Sequence, residues 1–352
     1  MVSMIDPGWL FCERRDLPLI DVRSPSEFLQ GHIPHAVNIP LFSDEERAVV
    51  GTRYHDAGKD AALLVGLDFA GAKMSDYIKK LTNITKGKPR EISLYCWRGG
   101  MRSASLAWLF SLAGYHARII EGGYKAYRSY IRQQSGKGSP MLVLGGMTGS
   151  GKTEILHELR RQGEQIIDLE DIAHNRGSVF GHLGQCPQPT NEQFENNLFD
   201  AWSQLDPAKP VWLEDESRSI GTVSLPGPFF EQMKKSQLIL LRVPLDIRVA
   251  RLTDEYAGFE KNSLLDALGK IAQAMGGQGV AEAQRNILAG NFAPAIRLVL
   301  AYYDKTYQKA MFKFNERHVK ELNTGTGDAF LNASMLKQIL PDILANAEIR
   351  VI

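Results

Sequence analysis

Residues 92–103 read Ile-Ser-Leu-Tyr-Cys-Trp-Arg-Gly-Gly-Met-Arg-Ser, and this stretch decides how the first part of the chain folds. Its apolar start predicts a strand over 92–95 that ends at Cys96, and a helix is predicted over 104–112. A glycine-containing loop between a strand and a helix points backbone N–H groups at one spot, which favours an anion and a thiolate. Cys96 is therefore a candidate nucleophile facing an anionic co-substrate, and a buried structural cysteine is the alternative.

Short apolar strands alternate with helical segments on both sides of this loop. Strands are predicted over 17–22, 92–95 and 117–120, and a helix is predicted over 61–81. Such alternation predicts a parallel sheet, in which ligands bind at the carboxyl ends of the strands. Cys96 lies at such an end.

A second motif follows an apolar strand over 141–144 and precedes a helix over 154–161. It matches G-x-x-x-x-G-K-T, the phosphate-binding P-loop. The candidate diphosphate-binding residues are Gly146, Thr148, Gly149, Ser150, Gly151, Lys152 and Thr153. Lys152 supplies a cation for the terminal phosphate, and the Thr153 hydroxyl is placed to reach Mg²⁺, although the motif leaves open whether Mg²⁺ or ATP binds.

Acidic residues and arginines follow the later predicted strands. Such residues order Mg²⁺ or contact phosphates in P-loop proteins, and the arginines resemble those of P-loop small-molecule kinases. The candidates are Asp168, at the end of a strand predicted from Ile166, then Glu214, Asp215, Glu216 and Arg218, and finally Arg248 and Arg251. Solvated strand ends are the alternative for the acids.

Composition limits the class of protein. The chain has 352 residues, a net charge of +1 and three cysteines, which excludes a disulfide framework and fits a globular protein of two or three domains. A polar start without a long apolar run predicts no signal peptide, no membrane span and a cytoplasmic location. A Gly/Ser/Lys-rich linker over 135–140 separates the predicted domains 1–134 and 141–352.

The C-terminal part is predicted to be rich in helices. Five basic residues there recur at three- or four-residue spacing and predict one basic helix face: Lys305, Lys309, Lys313, Arg317 and Lys320. Such a face fits a phosphate backbone, and a solvated face is the alternative.

The first domain resembles the rhodanese family. The matching residues occur in the family's order: Asp21-Val22-Arg23, Glu27-Phe28, Gly31-His32-Ile33-Pro34, Asn38-Ile39-Pro40, the Cys96 loop and Gly122-Gly123-Tyr124. This resemblance implies a cysteine that carries sulfur or selenium. Common sulfurtransferase loops run Cys-x-x-Gly-x-Arg-Ser, and the loop here is one residue longer.

The combination of both halves is similar to the tRNA 2-selenouridine synthase family. The expected fold is α/β, with a rhodanese-like parallel-sheet domain followed by a P-loop NTPase-like domain with a helical C-terminal part. The resemblance implies replacement of sulfur by selenium in wobble 2-thiouridine of the tRNA anticodon loop. Selenophosphate and geranyl diphosphate would be co-substrates, and a selenophosphate-producing enzyme is a possible partner.

The resemblance also assigns roles to residues. Cys96 would attack selenophosphate or hold the resulting selenide, with Arg102 neutralising the phosphate. The selenophosphate loop would comprise Trp97, Arg98, Gly99, Gly100 and Met101. The P-loop would hold the diphosphate of geranyl diphosphate.

Two other functions fit parts of the sequence. One is a P-loop small-molecule kinase or ATPase with a regulatory or sulfurtransferase rhodanese domain. The other is a tRNA-binding scaffold in which Cys96 is inert.

Overall fold

The computed structural model describes residues 1–12, 17–312 and 318–348. The chain divides into two compact units. The first comprises Met1–Gln134 together with Glu195–Gln204, and the second comprises Ser135–Phe194 and the chain from Leu205 onward. Residues 195–204 fall within the predicted second domain 141–352, whereas in the structure they belong to the first unit.

The first unit contains a five-stranded sheet whose strand order is β1-β5-β4-β2-β3, with every pair parallel. Its elements are β1 (Val2–Ile5), α1 (Trp9–Cys12), β2 (Leu19–Asp21), α2 (Pro25–Gln30), β3 (Val37–Asn38), α3 (Asp44–Gly71), α4 (Met74–Ile84), β4 (Glu91–Tyr95), α5 (Met101–Leu112), β5 (His116–Ile120) and α6 (Gly123–Gln134). The strand that directly precedes Cys96, β4, is the central one. The alternation of strands and helices therefore correctly predicts a parallel sheet.

Helices before β4 differ from the single helix predicted over 61–81, because α3 begins at Asp44 and α4 is separate. Ser43 accepts a hydrogen bond from the Glu46 amide, and the Glu46 side chain accepts one from the Ser43 amide. This capping box fixes an early start that the polar composition of the segment hides. Gly58 interrupts α3 with a non-helical φ of 83°.

The second unit contains a parallel five-stranded sheet in the order β12-β11-β6-β8-β7. Its first elements are β6 (Met141–Gly146), α7 (Lys152–Arg161), β7 (Gln165–Ile167) and α8 (Leu169–Ala173); α9 (Asn191–Trp202) contributes residues 195–202 to the first unit. There follow β8 (Val211–Glu214), β9 (Ser219–Ile220), β10 (Val223–Ser224), α10 (Gly227–Lys235), β11 (Gln237–Arg242), α11 (Leu245–Tyr256), α12 (Lys261–Gly269), α13 (Ala272–Met275), α14 (Gly277–Ala289), α15 (Phe292–Phe312), β12 (Val319–Asn323) and α16 (Ala329–Glu348).

The core of the second unit explains where its loops lie. All six residues of β6 are buried, and apolar side chains of α7 and α16 pack against the sheet. A separate helical core is formed by α12, α14 and α15. Parallel strands bring their carboxyl ends to one edge, so the loop after β6 and the residues after β8 lie beside each other.

Two predictions about the C-terminal part meet the structure differently. The predicted richness in helices is present in α11–α16. The prediction of a single basic helix face is wrong, because Lys320 lies on β12, whereas Lys305 and Lys309 lie on α15. Lys313 and Arg317 lie outside the described residues. Within the described part of the chain, every helix is too short or too polar to span a bilayer.

Candidate functional site

Cys96 directly follows the central strand of the first unit. The Gly100 amide donates a hydrogen bond to Cys96 Sγ at 3.2 Å, and Ser103 Oγ lies 3.3 Å from the same sulfur. The loop therefore turns a backbone N–H toward the thiol, as the sequence pattern predicts. Cys96 is only 3% exposed, so the sulfur is almost inaccessible from solvent.

The start of α6 holds this loop in place. Tyr124 donates its amide to the Cys96 carbonyl at 2.9 Å, and Lys125 donates its amide to the Trp97 carbonyl at 3.0 Å. Gly123 has a φ of 60°, and a Cβ there would lie 2.3 Å from the Cys96 carbonyl oxygen. The Gly122-Gly123-Tyr124 segment therefore packs against the backbone of the cysteine loop and holds it.

Arg102 forms an ion pair that the sequence does not predict. Its guanidinium binds both carboxylate oxygens of Glu27, and both side chains are mostly buried. The charge of Arg102 is thus balanced within the protein rather than left free for a phosphate. Three other loop side chains are exposed: Trp97, Arg98 and Met101.

The P-loop of the second unit forms a turn between β6 and α7. Gly149 and Gly151 adopt φ values of 80° and 76°, which favour glycine. Lys152 Nζ donates to the Gly146 carbonyl at 3.2 Å. The Ser150 hydroxyl is buried and has no hydrogen-bond partner among the described residues. A buried polar atom without a partner is unfavourable, so this hydroxyl suits a bound phosphate oxygen.

A carboxylate pair lies beside the P-loop. Thr153 Oγ1 donates to Glu170 Oε2 at 3.0 Å. A Cβ at Gly177 would lie 3.0 Å from Oε1 of both Glu170 and Glu216, so Gly177 leaves room where these carboxylates meet. Glu170 was not among the predicted site residues, although it follows Asp168 by two positions and could have been found as part of the same acidic segment.

Burial changes the protonation of these acids. Burial raises the pKa of Glu216 to about 8, the negative charge of Glu170 adds to the rise, and Lys152 opposes it. Burial likewise raises the pKa of Glu170, against the effect of Lys152. Glu214 is fully buried, and burial followed by repulsion from Asp168 holds its pKa well above the usual range. In all three groups burial thus shifts the pKa upward, toward the protonated carboxyl, relative to an exposed glutamate.

Both carboxylate oxygens of Asp168 contact groups of the protein. The sequence predicts a strand from Ile166 into the acidic segment, but β7 ends at Ile167 and Asp168 caps α8, accepting the Asp171 amide at 2.8 Å. His157 Nε2 lies 2.6 Å from its other oxygen. The strand prediction is wrong there because side-chain capping ends the strand and starts a helix.

The predicted arginines occupy three different settings, and Arg218 is the exposed one. Arg248 is buried, binds both oxygens of Asp304 at 2.9 and 2.8 Å, and donates to the Thr148 carbonyl at 3.2 Å. Arg251 pairs with Glu154 and donates to the Gly327 carbonyl. Arg248 thus fixes the P-loop backbone rather than facing a phosphate.

An open groove of about 1770 Å³ brings most predicted residues of this unit together. It is lined by the P-loop from Thr148 to Thr153, together with Asp168, Asp215, Glu216, Arg218 and Arg251. Tyr307 links Asp215 to the Gly146 amide, with distances of 3.3 and 3.1 Å from its hydroxyl. Glu214 and Arg248 do not line the groove. Within the described ranges, no three His, Cys, Asp or Glu side chains are arranged to hold a metal ion.

Comparison with known proteins gives two domain matches in chain order. The Rhodanese-like domain family matches residues 9–130, and the tRNA 2-selenouridine synthase AAA domain family matches residues 139–336. The second match alone spans more than half of the chain.

Curated relatives named tRNA 2-selenouridine synthase match over long stretches. The protein from Nitrosomonas eutropha is 40% identical over 68% of this chain, and the match spans 63% of that relative's length. A relative from a Shewanella species (strain ANA-3) is 38% identical over 84% of this chain and 89% of its own length. The relative from Bdellovibrio bacteriovorus is 34% identical over 89% of this chain and 93% of its own length. Two ordered domain matches and this extent of identity mean that the chain belongs to the tRNA 2-selenouridine synthase family.

Proposed function

We propose that this protein replaces the sulfur of wobble 2-thiouridine in tRNA with selenium from selenophosphate, after S-geranylation from geranyl diphosphate. The observation that carries the proposal is a cysteine loop and a P-loop in one chain whose two halves match the family's domains in order. The relatives' name supports tRNA as the substrate. A selenophosphate-producing enzyme would supply the selenium donor.

Cys96 would activate selenium. Its thiolate would attack the phosphorus of selenophosphate, which forms an S–P bond, breaks the P–Se bond and releases selenide; water then cleaves the S–P bond. The Gly100 N–H that points at Sγ supports a thiolate at this position. Because Cys96 is buried, selenophosphate would reach Sγ only after the cysteine loop moves.

The P-loop would hold the diphosphate during geranyl transfer. The sulfur of 2-thiouridine attacks the first carbon of the geranyl chain, the C–O bond breaks and diphosphate leaves. Lys152 and the Ser150 hydroxyl would stabilise the charge on this leaving group. Selenide then displaces geranylthiolate from the uracil ring. Geranylthiolate is a better leaving group than the original sulfur.

In this proposal Mg²⁺ would bind together with the diphosphate at the P-loop. Thr153 and Glu170 supply oxygens 3.0 Å apart at the P-loop. In such sites Mg²⁺ takes most of its remaining ligands from phosphate and water, so a protein cage is not needed. Bound Mg²⁺ would neutralise charge on the leaving diphosphate.

An apolar pocket beside the P-loop would take the geranyl tail. It begins at Thr148, and its walls come mainly from α11 and α15: Leu252, Tyr256, Phe292, Ile296, Val299 and Leu300. The free space is about 30 Å³, so these side chains would have to move apart to admit the tail. The near absence of polar groups in the walls supports a hydrocarbon occupant.

Nucleoside mass spectrometry tests the proposal. The full chain is incubated with tRNA carrying wobble 2-thiouridine, selenophosphate and geranyl diphosphate, and the tRNA is then digested. We expect Cys96→Ser to abolish selenouridine while S-geranyl-thiouridine still forms, and Lys152→Ala to abolish both products. Matched controls are the exposed residues of the same types, Cys186→Ser and Lys209→Ala, which should behave as wild type.

Other outcomes would overturn the proposal. Wild-type amounts of selenouridine from both Cys96→Ser and Lys152→Ala would exclude the assigned roles. ADP formation that depends on Lys152, without any modified uridine, would instead support the P-loop kinase or ATPase.

A further inference from the structure

Trp97 is an exposed indole held firmly beside the nucleophile. It follows Cys96 directly and is 39% exposed. Its carbonyl accepts the Lys125 amide at 3.0 Å, and its ring lies 5.9 Å from the Tyr124 ring at an angle of 48°. An aromatic side chain fixed on one side and open on the other can accept a second planar group at little cost in conformational entropy.

Buried aromatic rings support Trp97 from within the unit. Tyr124 stacks on Tyr95 and on Tyr127, with ring centroids 5.9 Å apart in both pairs, and all three residues are fully buried. The Arg23 guanidinium lies 3.9 Å from the centroid of the Tyr124 ring. Trp97 is therefore the exposed member of an aromatic cluster whose other rings are buried.

Two basic residues adjoin Trp97. Arg98 follows it in the chain, and Lys125 donates its amide to the Trp97 carbonyl. Arg98 and Lys125 are both exposed, and among the described residues neither side chain forms an ion pair. Single-stranded RNA is recognised by this combination, because bases stack on aromatic rings while nearby cations contact the phosphates. A selenophosphate ion alone would need no exposed indole.

We infer that Trp97 is a stacking platform for the target pyrimidine of single-stranded RNA, with Arg98 and Lys125 contacting the flanking phosphates. The inference rests on the proposed function, since it names the residues that position the RNA at Cys96. Trp97 is a positioning residue, and stacking would hold the pyrimidine beside the loop that carries the sulfur.

RNA binding by the full chain tests this inference. The probe is an anticodon stem-loop RNA with wobble 2-thiouridine, and its Kd is measured by fluorescence anisotropy. A base stacked on an aromatic ring is worth about 1–3 kcal/mol, so we expect Trp97→Ala to raise the Kd roughly tenfold or more. Trp97→Phe should restore most of the affinity, which a merely structural role for the indole would not predict.

Matched variants separate stacking from loss of structure. Trp108→Ala removes another exposed tryptophan, 54% exposed on α5 of the same unit, and should leave the Kd unchanged. The double variant Arg98→Gln with Lys125→Gln should lower the slope of log Kd against log salt by about 2, one for each lost phosphate contact.

Two results would overturn the inference. One is a Kd of Trp97→Ala within twofold of wild type, and the other is an unchanged salt slope in the double variant. If wild-type protein makes selenouridine but Trp97→Ala binds RNA normally, only this inference fails. If wild-type protein makes no selenouridine, the proposed function fails whatever the Kd values are.

Discussion

Arg102 and Glu27 form a two-point ion pair, with Nη1 2.5 Å from Oε2 and Nη2 3.2 Å from Oε1. The pair joins the start of α5 to α2, across 75 positions of sequence. It holds the helix that follows the cysteine loop.

Replacing Glu27 with Gln tests this pair. Burial of the Glu27 carboxylate opposes ionisation, but the hydrogen bond and charge of Arg102 outweigh it and lower the pKa below 4.5. Such a carboxylate stabilises the folded state above its unfolded pKa, and the stabilisation is lost as pH falls through the folded pKa. We expect Glu27→Gln to lower the free energy of unfolding by about 1–2 kcal/mol at neutral pH.

Urea unfolding of wild type and Glu27→Gln at several pH values measures this difference. The two proteins should converge as the pH drops below about 4.5. A difference that stays constant with pH would show that the ion pair does not contribute.

Two adjacent glycines in the cysteine loop should respond differently to alanine. Gly99 has a φ of 64°, and a Cβ there would lie 2.7 Å from the Ile120 carbonyl oxygen. A Cβ at Gly100 would meet nothing within 4 Å, and its φ is −96°. We expect Gly99→Ala to cost about 1–3 kcal/mol of stability and Gly100→Ala to cost about 0.5 kcal/mol or less. Thermal unfolding of the two variants measures the contrast, and equal melting temperatures would contradict it.

Thiol labelling should distinguish the described cysteines. Cys186 is exposed and Cys96 is 3% exposed, and thiol reactivity depends on access as well as on thiolate character. We expect iodoacetamide to label Cys96 roughly tenfold more slowly than Cys186. Peptide mass spectrometry over a time course measures both rates in one sample. Labelling of Cys96 at the rate of Cys186 would mean that the loop opens freely.

Diphosphate binding should depend on the protonation of Glu216. Its pKa of about 8 makes the carboxyl neutral below that pH and negative above it, next to the P-loop. We therefore expect the affinity for inorganic diphosphate to fall in wild type, relative to Glu216→Gln, as pH rises through about 8. The expected difference is about fivefold, or ~1 kcal/mol. Isothermal titration calorimetry at several pH values checks it, and parallel pH profiles would exclude Glu216.

Arg248 should control the P-loop backbone without touching the ligand. Lysine cannot reproduce its two bonds to Asp304 together with the bond to the Thr148 carbonyl. We expect Arg248→Lys to weaken diphosphate binding about tenfold by loosening the loop, and to destabilise the unit by about 2–3 kcal/mol. Calorimetry and thermal unfolding measure both effects, and Arg285→Lys, at an exposed site on α14, is the matched control. Unchanged affinity in Arg248→Lys would exclude this role.

The cysteine loop and the P-loop were predictable because their chemistry is local. Each is a strand, a glycine-containing turn and a helix in continuous sequence. Gly149 and Gly151 adopt the positive φ that such a turn requires, so residue type alone identifies the loop. The parallel sheets were predictable for the same reason, from the alternation of short apolar runs with helical segments.

Capping is local as well, yet two of the helix starts that depend on it were not predicted. The helix that starts after Ser43 begins with two reciprocal side-chain hydrogen bonds to Glu46, and the one that starts after Asp168 begins with a single side-chain cap. Hydrophobic periodicity, which guided the prediction, does not register such bonds.

Local patterns identify the two loops and the type of chemistry that each supports. Which charges remain available depends on contacts that form when the chain folds. Folding pairs Arg102 with Glu27 and Arg248 with Asp304, and it brings Glu170 to Thr153. A polar or charged group in a partly buried setting must find a partner, and the partners here lie 17 to 75 positions away, beyond the reach of any local pattern.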